Sequence, residues 1–260
     1  MRKRLILAVA MAVAVAVTAA GVAGAVQSPT LVGADGNTQS MGVKITPTKR
    51  SKTTPAPATL EVTTATDNPT RANGVPIPAV QAIVDFPKGV SIYSKGYPTC
   101  DPAKLQNTST EKALEECKRA QVGGGEGTLD LVVGEKVFPV VAGMTVFNGV
   151  PQGGKPVILL HLYSQTPIQT TVVLVGVVKN YNKQGFGPRL DVAIPLLAGG
   201  QGAVTGVKLK VFKKYFYKGK QRSYISATCP TTSWKARGEF VFLDGESLTP
   251  SVKGKCTQKK

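Results

Sequence analysis

The stretch Thr59–Ala65 (TLEVTTA) shows the residue pattern that determines the fold class. Apolar Leu60 and Val62 alternate with polar neighbours, and a period of two residues is typical of a strand with one buried face. The same alternation runs from Val80 to Phe86. The sequence therefore predicts a half-buried strand in each segment.

Similar runs recur along the rest of the chain. Further strands are predicted at Gly42–Pro47, Thr128–Val133, Ala142–Phe147, Val157–Tyr163, Thr170–Val178, Leu190–Leu197, Thr205–Tyr217, Arg222–Thr228, Ala236–Leu243 and Ser247–Val252. Tight hairpin turns are predicted at Gly153-Gly154, Gly199-Gly200, Lys218-Gly219 and Asp244-Gly245. Many short strands without interleaved helices predict an all-β fold, an antiparallel β-sandwich of jelly-roll-like or immunoglobulin-like type.

One short helix interrupts this pattern. Thr108 precedes Glu111 by three residues in a capping-box arrangement, and residues 112–119 are helix formers or tolerated in helices. The glycine-rich run Gly123–Gly127 follows the helix and lacks the Lys-Ser/Thr ending of a phosphate-binding loop. We therefore expect that run to be a connector.

The even number of cysteines indicates disulfide bonds and an oxidising compartment. Four cysteines allow three pairings, and local bracketing favours Cys100–Cys117, which tethers the helix, together with Cys229–Cys256. A zinc site is the competing interpretation, but the paired spacing or added histidines that it needs are missing. No metal or cofactor is predicted.

The N-terminus has the layout of a secretory signal peptide. Arg2–Arg4 is basic, Leu5–Val17 is apolar, and Ala23-Gly24-Ala25 fits a cleavage site. The alternative is a retained membrane anchor, because the apolar stretch is about long enough to span a bilayer. We interpret residues 1–25 as a signal peptide, 26–40 as a flexible lead-in and 41–260 as one domain.

The chain is strongly basic, with 32 Lys and Arg against 15 Asp and Glu and a formal net charge of +17. A run without acidic residues contains Lys208, Lys210, Lys213, Lys214, Lys218, Lys220 and Arg222. Such a run attracts polyanions through many weak, salt-screened contacts. The alternative is a solvated surface, or lysines that guard a strand edge against aggregation.

Aromatic residues are interleaved with these lysines. Aromatic faces with basic neighbours stack sugars or bases and attract phosphates. The more conservative interpretation places Phe212, Phe216 and Trp234 in the core and leaves the lysines and tyrosines outside. We expect this second arrangement.

Candidates for catalysis are few. His161 lies in an apolar strand beside Tyr163, where a hydrogen-bonded packing role is favoured over a general base. Asp130 and Asp191 each lie between apolar residues and are candidates for a glycosidase-type carboxylate pair. That pair requires carboxyl groups within about 10 Å of each other. The sequence favours outward-facing, non-catalytic roles for both.

Five segments carry a resemblance to a known group. They are Ser94–Cys100 (SKGYPTC), Gln106–Thr110 (QNTST), Val146–Gly149 (VFNG), Ile158–Tyr163 (ILLHLY) and Ser223–Cys229 (SYISATC). Together they resemble a group of secreted proteins from actinobacterial genomes that has no assigned activity. The resemblance implies one β-rich exported domain in a Gram-positive host and supplies no catalytic residues.

These observations favour a non-catalytic secreted or cell-envelope binding protein with a basic surface. The expected partners are an anionic cell-wall polymer or lipid head groups, without specific nucleic-acid recognition. Two other classes stay open, a wall-polymer hydrolase that uses strand carboxylates and a purely structural surface protein. The sequence does not indicate an oligomeric state.

Overall fold

The computed structural model describes residues 26–166 and 169–259, so the predicted signal peptide lies outside the described residues. The first strands are β1 (Val26–Gln27), β2 (Leu31–Val32), β3 (Thr38–Thr46), β4 (Lys49–Arg50), β5 (Ala56–Pro57), β6 (Thr59–Asp67), β7 (Ala79–Pro87) and β8 (Val90–Ile92). Helix α1 (Thr110–Cys117) follows, with 3₁₀ turns at Pro102–Leu105 and Lys118–Ala120.

The second half of the chain is made of strands and one more 3₁₀ turn at Ala198–Gly200. The strands are β9 (Gln121–Val133), β10 (Lys136–Gln152), β11 (Lys155–Ser164), β12 (Thr170–Asn180), β13 (Phe186–Ala193), β14 (Gly202–Val211), β15 (Lys214–Tyr217), β16 (Lys220–Ser223), β17 (Ile225–Ala227), β18 (Ser233–Phe242), β19 (Ser247–Leu248), β20 (Ser251–Lys255) and β21 (Thr257–Gln258). No helix among the described residues is long and apolar enough to cross a lipid bilayer.

One 14-stranded antiparallel sheet forms the body of the molecule. Its strand order is β1-β3-β6-β14-β9-β10-β11-β12-β13-β7-β18-β19, with β2 paired to β3 and β20 paired to β18. Strand β20 also contacts β1 and β3, so the two ends of the sheet approach each other and the sheet curls into a half-barrel around a shared core. The predicted all-β antiparallel class with one short, disulfide-tethered helix is confirmed.

The predicted alternation directs side chains to the two faces of this sheet. In β6, Leu60 and Val62 are 3% and 6% exposed, and both belong to the central core. In β14, Leu209 packs against the same core, whereas Lys208 and Lys210 point outward and are exposed. Burial of the inward row is the main favourable contribution to folding, at about 25 cal/mol per Å² of apolar surface.

The glycine-rich run Gly123–Gly127 corrects one expectation. It is not a connector but lies within β9, paired with both β10 and β14. A Cβ atom at Gly123 or Gly125 would lie 2.1 or 1.8 Å from the carbonyl oxygen of Lys210 or Lys208, respectively. The run therefore provides side-chain-free backbone where the curling sheet brings β14 close, a role that glycine often has inside strands.

Helix α1 lies on the outer face of β10 and β11, over Phe147 and Leu159. Its N-terminal cap is Ser109, whose hydroxyl accepts a hydrogen bond from the Lys112 amide at 3.3 Å, rather than the predicted Thr108. Thr108 instead donates to the Leu105 carbonyl of the preceding turn. The helix therefore begins one residue later than the predicted capping box implies, at Thr110.

Both predicted disulfides are present. Cys100 is bonded to Cys117 and Cys229 to Cys256, and no cysteine is free. The first bond tethers α1 to the segment before it, and the second joins the β17–β18 connection to the C-terminal segment. Two such bonds indicate an oxidising, extracellular-type environment.

Residues 26–40 differ from the expected flexible lead-in. They contain β1, β2 and the first residues of β3, and Asn37 and Gln39 have no exposed surface. The Asn37 side chain donates to the Ile77 carbonyl at 3.2 Å, and the Gln39 side chain donates to the Ala65 carbonyl at 3.1 Å. Buried amides hold this segment in place, so it shows none of the apolar periodicity that reveals a strand in sequence.

A buried carboxylate joins three neighbouring strands. Asp85 of β7 lies directly opposite Arg189 of β13 and Arg237 of β18. Arg189 donates two hydrogen bonds to it, at 2.6 and 3.0 Å, and Arg237 donates one at 2.7 Å. Burial alone would raise the pKa of Asp85, but the two guanidinium groups outweigh it and hold that pKa below its usual range.

Candidate functional site

Basic side chains collect at one end of the curled sheet. Because neighbouring strands are antiparallel, alternate connections lie at the same end. At the end where β3 and β14 finish, these segments are 47–58, 88–99, 153–155, 181–185, 212–232 and 256–259. The basic residues of these segments are Lys49, Arg50, Lys52, Lys88, Lys95, Lys155, Lys183, Lys213, Lys214, Lys218, Lys220, Arg222 and Lys259, and none of the 15 acidic residues lies in them. The remaining part of the 88–120 connection, residues 100–120, contains α1, packs against β10 and β11, and carries four acidic and four basic residues. We call this surface the basic end.

The opposite end of the sheet has the opposite character. Its connections and adjacent strand ends carry the acidic residues Asp35, Asp67, Glu135, Asp244 and Glu246, against Arg71 and Lys136. Charge is therefore separated along the strand direction. A field of this kind orients the molecule toward an anionic partner with the basic end first.

The structure divides the seven predicted polyanion-binding residues into two groups. Lys208 and Lys210 lie on the flank of the sheet, where their ammonium groups are 2.8 Å from Glu126 and 3.7 Å from Glu61. The other five, Lys213, Lys214, Lys218, Lys220 and Arg222, belong to the basic end. Among the described residues, no carboxylate lies within 4.0 Å of a charged group of these five. The uncompensated charge is thus in the β15–β16 hairpin.

Tyrosines hold this hairpin against the molecule. The Tyr215 hydroxyl lies 3.0 Å from the Tyr93 and the Lys95 carbonyl oxygens, and its ring packs edge-on against Tyr97. Burial raises the pKa of Tyr215 to about 12, so its hydroxyl stays a donor at neutral pH. Arg222 lies over the Tyr93 ring, 5.5 Å from its centre. The hairpin is therefore docked through one of its faces.

The other face of the hairpin corrects the expectation about aromatic residues. Trp234 is buried as expected, but Phe216 and Phe212 are 76% and 50% exposed. Strand alternation places Phe216 beside Lys214, on the face opposite to Tyr215. The tyrosine face packs inward because the Tyr215 hydroxyl reaches two backbone carbonyls, and Phe216 on the other face is left in solvent.

Two surface clefts open at the basic end. One, of about 660 Å³, is lined by Ile92, Gly154, Lys155, Lys179 and Asn182, among others. The second, of about 440 Å³, lies at the foot of the hairpin and is lined by Thr46, Pro47, Pro57, Ala58, Thr59, Phe212, Lys213, Lys214 and Ser223. Lysines and no carboxylates line both clefts, which suits an anionic ligand.

A buried arginine, which sequence analysis did not single out, organises the basic end. The side chain of Arg50 is 2% exposed. Its guanidinium donates to the carbonyls of Thr46, Pro47, Ala56, Pro57 and Ala227, at 2.8 to 3.3 Å. Burial lowers the pKa of Arg50, and no carboxylate of the described residues pairs with it. It shapes the 47–58 segment and adds a fixed positive charge beneath it.

His161 has the packing role that the sequence favours. It is fully buried, and its Nε2 lies 3.1 Å from the Thr108 carbonyl oxygen. The Thr171 hydroxyl donates to the same carbonyl at 3.0 Å. Burial lowers the pKa of His161, so the neutral imidazole donates from Nε2 and pins the segment before α1 to the sheet.

The two candidate catalytic carboxylates are not brought together. Asp130 lies in β9 and Asp191 in β13, and three strands separate β9 from β13. At about 4.8 Å per strand this is roughly 19 Å along the sheet, beyond the range of a glycosidase pair. Both side chains leave the outer face of a curled sheet, which spreads them further. Asp191 is bound to Lys179 at 2.5 Å and to Gln81 at 2.7 Å.

An acidic cluster occupies the opposite end. Oxygens of Asp35, Asp244 and Glu246 lie within 4.8 Å of one another. The hydrogen bond from Asp244 contributes most to raising the pKa of Asp35, followed by burial and the neighbouring charges. Glu246 also accepts a hydrogen bond from the Ala34 amide at 2.6 Å.

Family models, curated proteins and solved structures were compared with the chain, and none matches it. The functional interpretation therefore rests on the residues of the basic end. Sequence reasoning found its hairpin but missed Arg50, Lys155 and the clefts. A usable signal exists, because the connections 47–58, 181–185 and 212–232 lack Asp and Glu, and the connection that follows β7 lacks them as far as Asp101.

Proposed function

We propose that the protein is a non-catalytic binding protein, secreted or associated with the cell envelope, whose basic end holds a phosphate-rich polyanion. One observation carries the proposal. Six segments that are distant in sequence bring their basic residues to one end of the sheet, and none of them contains an acidic residue.

The energetics support a polyanion rather than a single small anion. The exposed ammonium groups of Lys213, Lys214, Lys218 and Lys220 each offer a weak, salt-screened attraction, about 0.5 kcal/mol per exposed charge pair. Several contacts to one repeating ligand add up to useful affinity, whereas one contact does not. The docked hairpin lowers the ordering cost of binding, since its backbone is already held by Tyr215.

The test is equilibrium binding of fluorescein-labelled polyphosphate at low and high salt. Replacing Lys213, Lys214, Lys218 and Lys220 by Gln should weaken binding about 30-fold at low salt, from roughly 0.5 kcal/mol per charge. Binding by the original protein should weaken steeply as salt is added.

A matched control removes the same charge elsewhere. Lys112, Lys136, Lys208 and Lys210 lie on the helix, at the opposite end or on the flank, and their replacement by Gln also removes four charges. This control variant should bind within about threefold of the original protein, because its lysines lie outside the basic end. Equal losses of polyphosphate affinity in both variants, or an affinity that does not fall as salt is added, would contradict the proposal.

A further inference from the structure

We infer that the polyanion at the basic end is the surface of an anionic lipid bilayer, into which the β15–β16 hairpin inserts Phe216. This inference rests on the proposed function and names its partner. It starts from a feature that charge alone does not explain, namely the exposed aromatic side chains among the lysines.

Phe216 is 76% exposed although it lies in a hairpin whose other face is well packed. Its cross-strand neighbour is Gln221, so no apolar side chain covers it from β16. Phe212 is 50% exposed nearby, at the foot of the same hairpin. A hydrophilic wall polymer would leave both rings in water, whereas a bilayer interface takes up aromatic side chains and removes them from water.

The charges around these rings fit lipid head groups. Lys213 and Lys214 directly follow Phe212 in the chain and line the 440 Å³ cleft with it. The other walls of the cleft include Pro47, Pro57 and Ala58. Ammonium groups beside an apolar wall match a lipid phosphate followed by its glycerol and upper acyl carbons. Lysines near an anionic membrane surface and an inserted aromatic ring act together, because one signal alone gives marginal membrane binding.

The geometry permits a shallow contact. Phe216 and Lys214 share the outward face of β15, and the tip Lys218-Gly219 lies beyond them. Tyr215 and Tyr217 stay on the docked face, where the Tyr217 ring lies against Gly96. The hairpin therefore meets the bilayer with one ring and its lysines, while the curled sheet remains in water.

The experiment measures co-sedimentation of the full chain with three partners. These are vesicles of phosphatidylcholine with phosphatidylglycerol, vesicles of phosphatidylcholine alone, and soluble polyphosphate as the non-lipid polyanion. All variants share residues 1–25, so any contribution of that segment cancels between them. Phe216→Ser should weaken binding to phosphatidylglycerol vesicles about tenfold, from the loss of partial burial of one aromatic ring, and leave polyphosphate binding unchanged.

Matched variants separate the two contributions. Val141→Ser removes an apolar side chain of similar exposure, 65%, from the outer face of β10 and should change nothing. Lys213→Gln with Lys214→Gln should weaken vesicle binding about 30-fold. Lys208→Gln with Lys210→Gln removes the same charge from the flank and should have little effect.

A fluorescence readout reports insertion directly. Trp234 is the single tryptophan of the chain and is buried, so Phe216→Trp adds one exposed reporter. Its emission should shift to the blue on phosphatidylglycerol vesicles, be quenched by brominated acyl chains, and stay unshifted with polyphosphate.

The outcomes distinguish the two proposals. If the original protein binds neither polyphosphate nor phosphatidylglycerol vesicles, the proposed function is overturned. Two outcomes would overturn the lipid inference alone. In the first, the original protein binds polyphosphate, and Phe216→Ser binds phosphatidylglycerol vesicles as tightly as the original protein does. In the second, Phe216→Trp binds the vesicles but its emission does not shift to the blue.

Discussion

Replacing Asp85 by Asn should be among the most damaging conservative changes in this protein. The Asp85 side chain is 2% exposed, and Arg189 and Arg237 are 22% and 26% exposed. The change keeps the shape of the side chain and removes the negative charge between two guanidinium groups. What remains is a pair of like charges that are largely withdrawn from water.

The magnitude follows from the burial of the partners. Removing one partner of a buried ion pair costs about 3–5 kcal/mol, because the other charge stays buried and uncompensated. Both arginines keep about a quarter of their surface in water, which favours the lower limit, about 3 kcal/mol. For a chain of this size that corresponds to a fall in Tm of about 6–12 °C.

The assay is urea unfolding with the disulfides intact, comparing midpoints at unchanged slope. Asp191→Asn is the control, since its partner Lys179 is 42% exposed, and it should cost less than about 1 kcal/mol. The lowered pKa of Asp85 adds a pH dependence. The contribution of Asp85 to the free energy of unfolding is complete above the unfolded pKa of about 3.9 and is lost as pH falls further. The free energy of unfolding should therefore decline less steeply below that pH in Asp85→Asn than in the original protein. A loss of less than about 0.5 kcal/mol of unfolding free energy in Asp85→Asn would refute the reasoning.

Two further predictions concern buried polar groups. Burial lowers the pKa of His161 from 6.5. The contribution of the neutral imidazole to the free energy of unfolding is therefore complete above that pH and is lost as pH falls below it. Urea midpoints should therefore decline from pH 7 to 5 in the original protein and stay level in His161→Gln, since the chain has one histidine; equal slopes would contradict this. Arg50→Lys replaces five donated hydrogen bonds by at most three and should cost about 3 kcal/mol of unfolding free energy. An unchanged midpoint would show that Arg50 does not hold the 47–58 segment.

The fold class and the covalent links were predictable because they depend on local patterns. Two-residue alternation in Thr59–Ala65 reports one buried face wherever it occurs. The hairpin at Gly153-Gly154 was predictable for the same reason, and both glycines have positive φ, at 54° and 74°. The disulfides follow from bracketing of compact segments. None of these inferences requires knowing which strands are neighbours.

The features that were missed depend on strand order. Asp85 meets Arg189 and Arg237 only because β7 lies between β13 and β18. The glycine run looked like a connector because its function is to let β14 approach a curling neighbour. The exposed Phe216 was missed because alternation separates the two faces of a hairpin without showing which face packs against the molecule. Here that choice depends on the hydrogen bonds of the Tyr215 hydroxyl to carbonyls that are distant in sequence.

The basic end combines strong mutual repulsion with unusually firm anchoring. Like charges gathered at one end destabilise the compact state, yet that end carries the buried Arg50, the docked Tyr215 and the Cys229–Cys256 bond. These contacts involve backbone carbonyls and covalent bonds rather than carboxylates, so they hold the loops without neutralising them. The charge stays available to a partner. A polyanion that neutralises it should therefore stabilise the fold through linkage, by about 2.7 kcal/mol at one hundred times Kd, and the relief of repulsion should appear as a lower Kd at low salt.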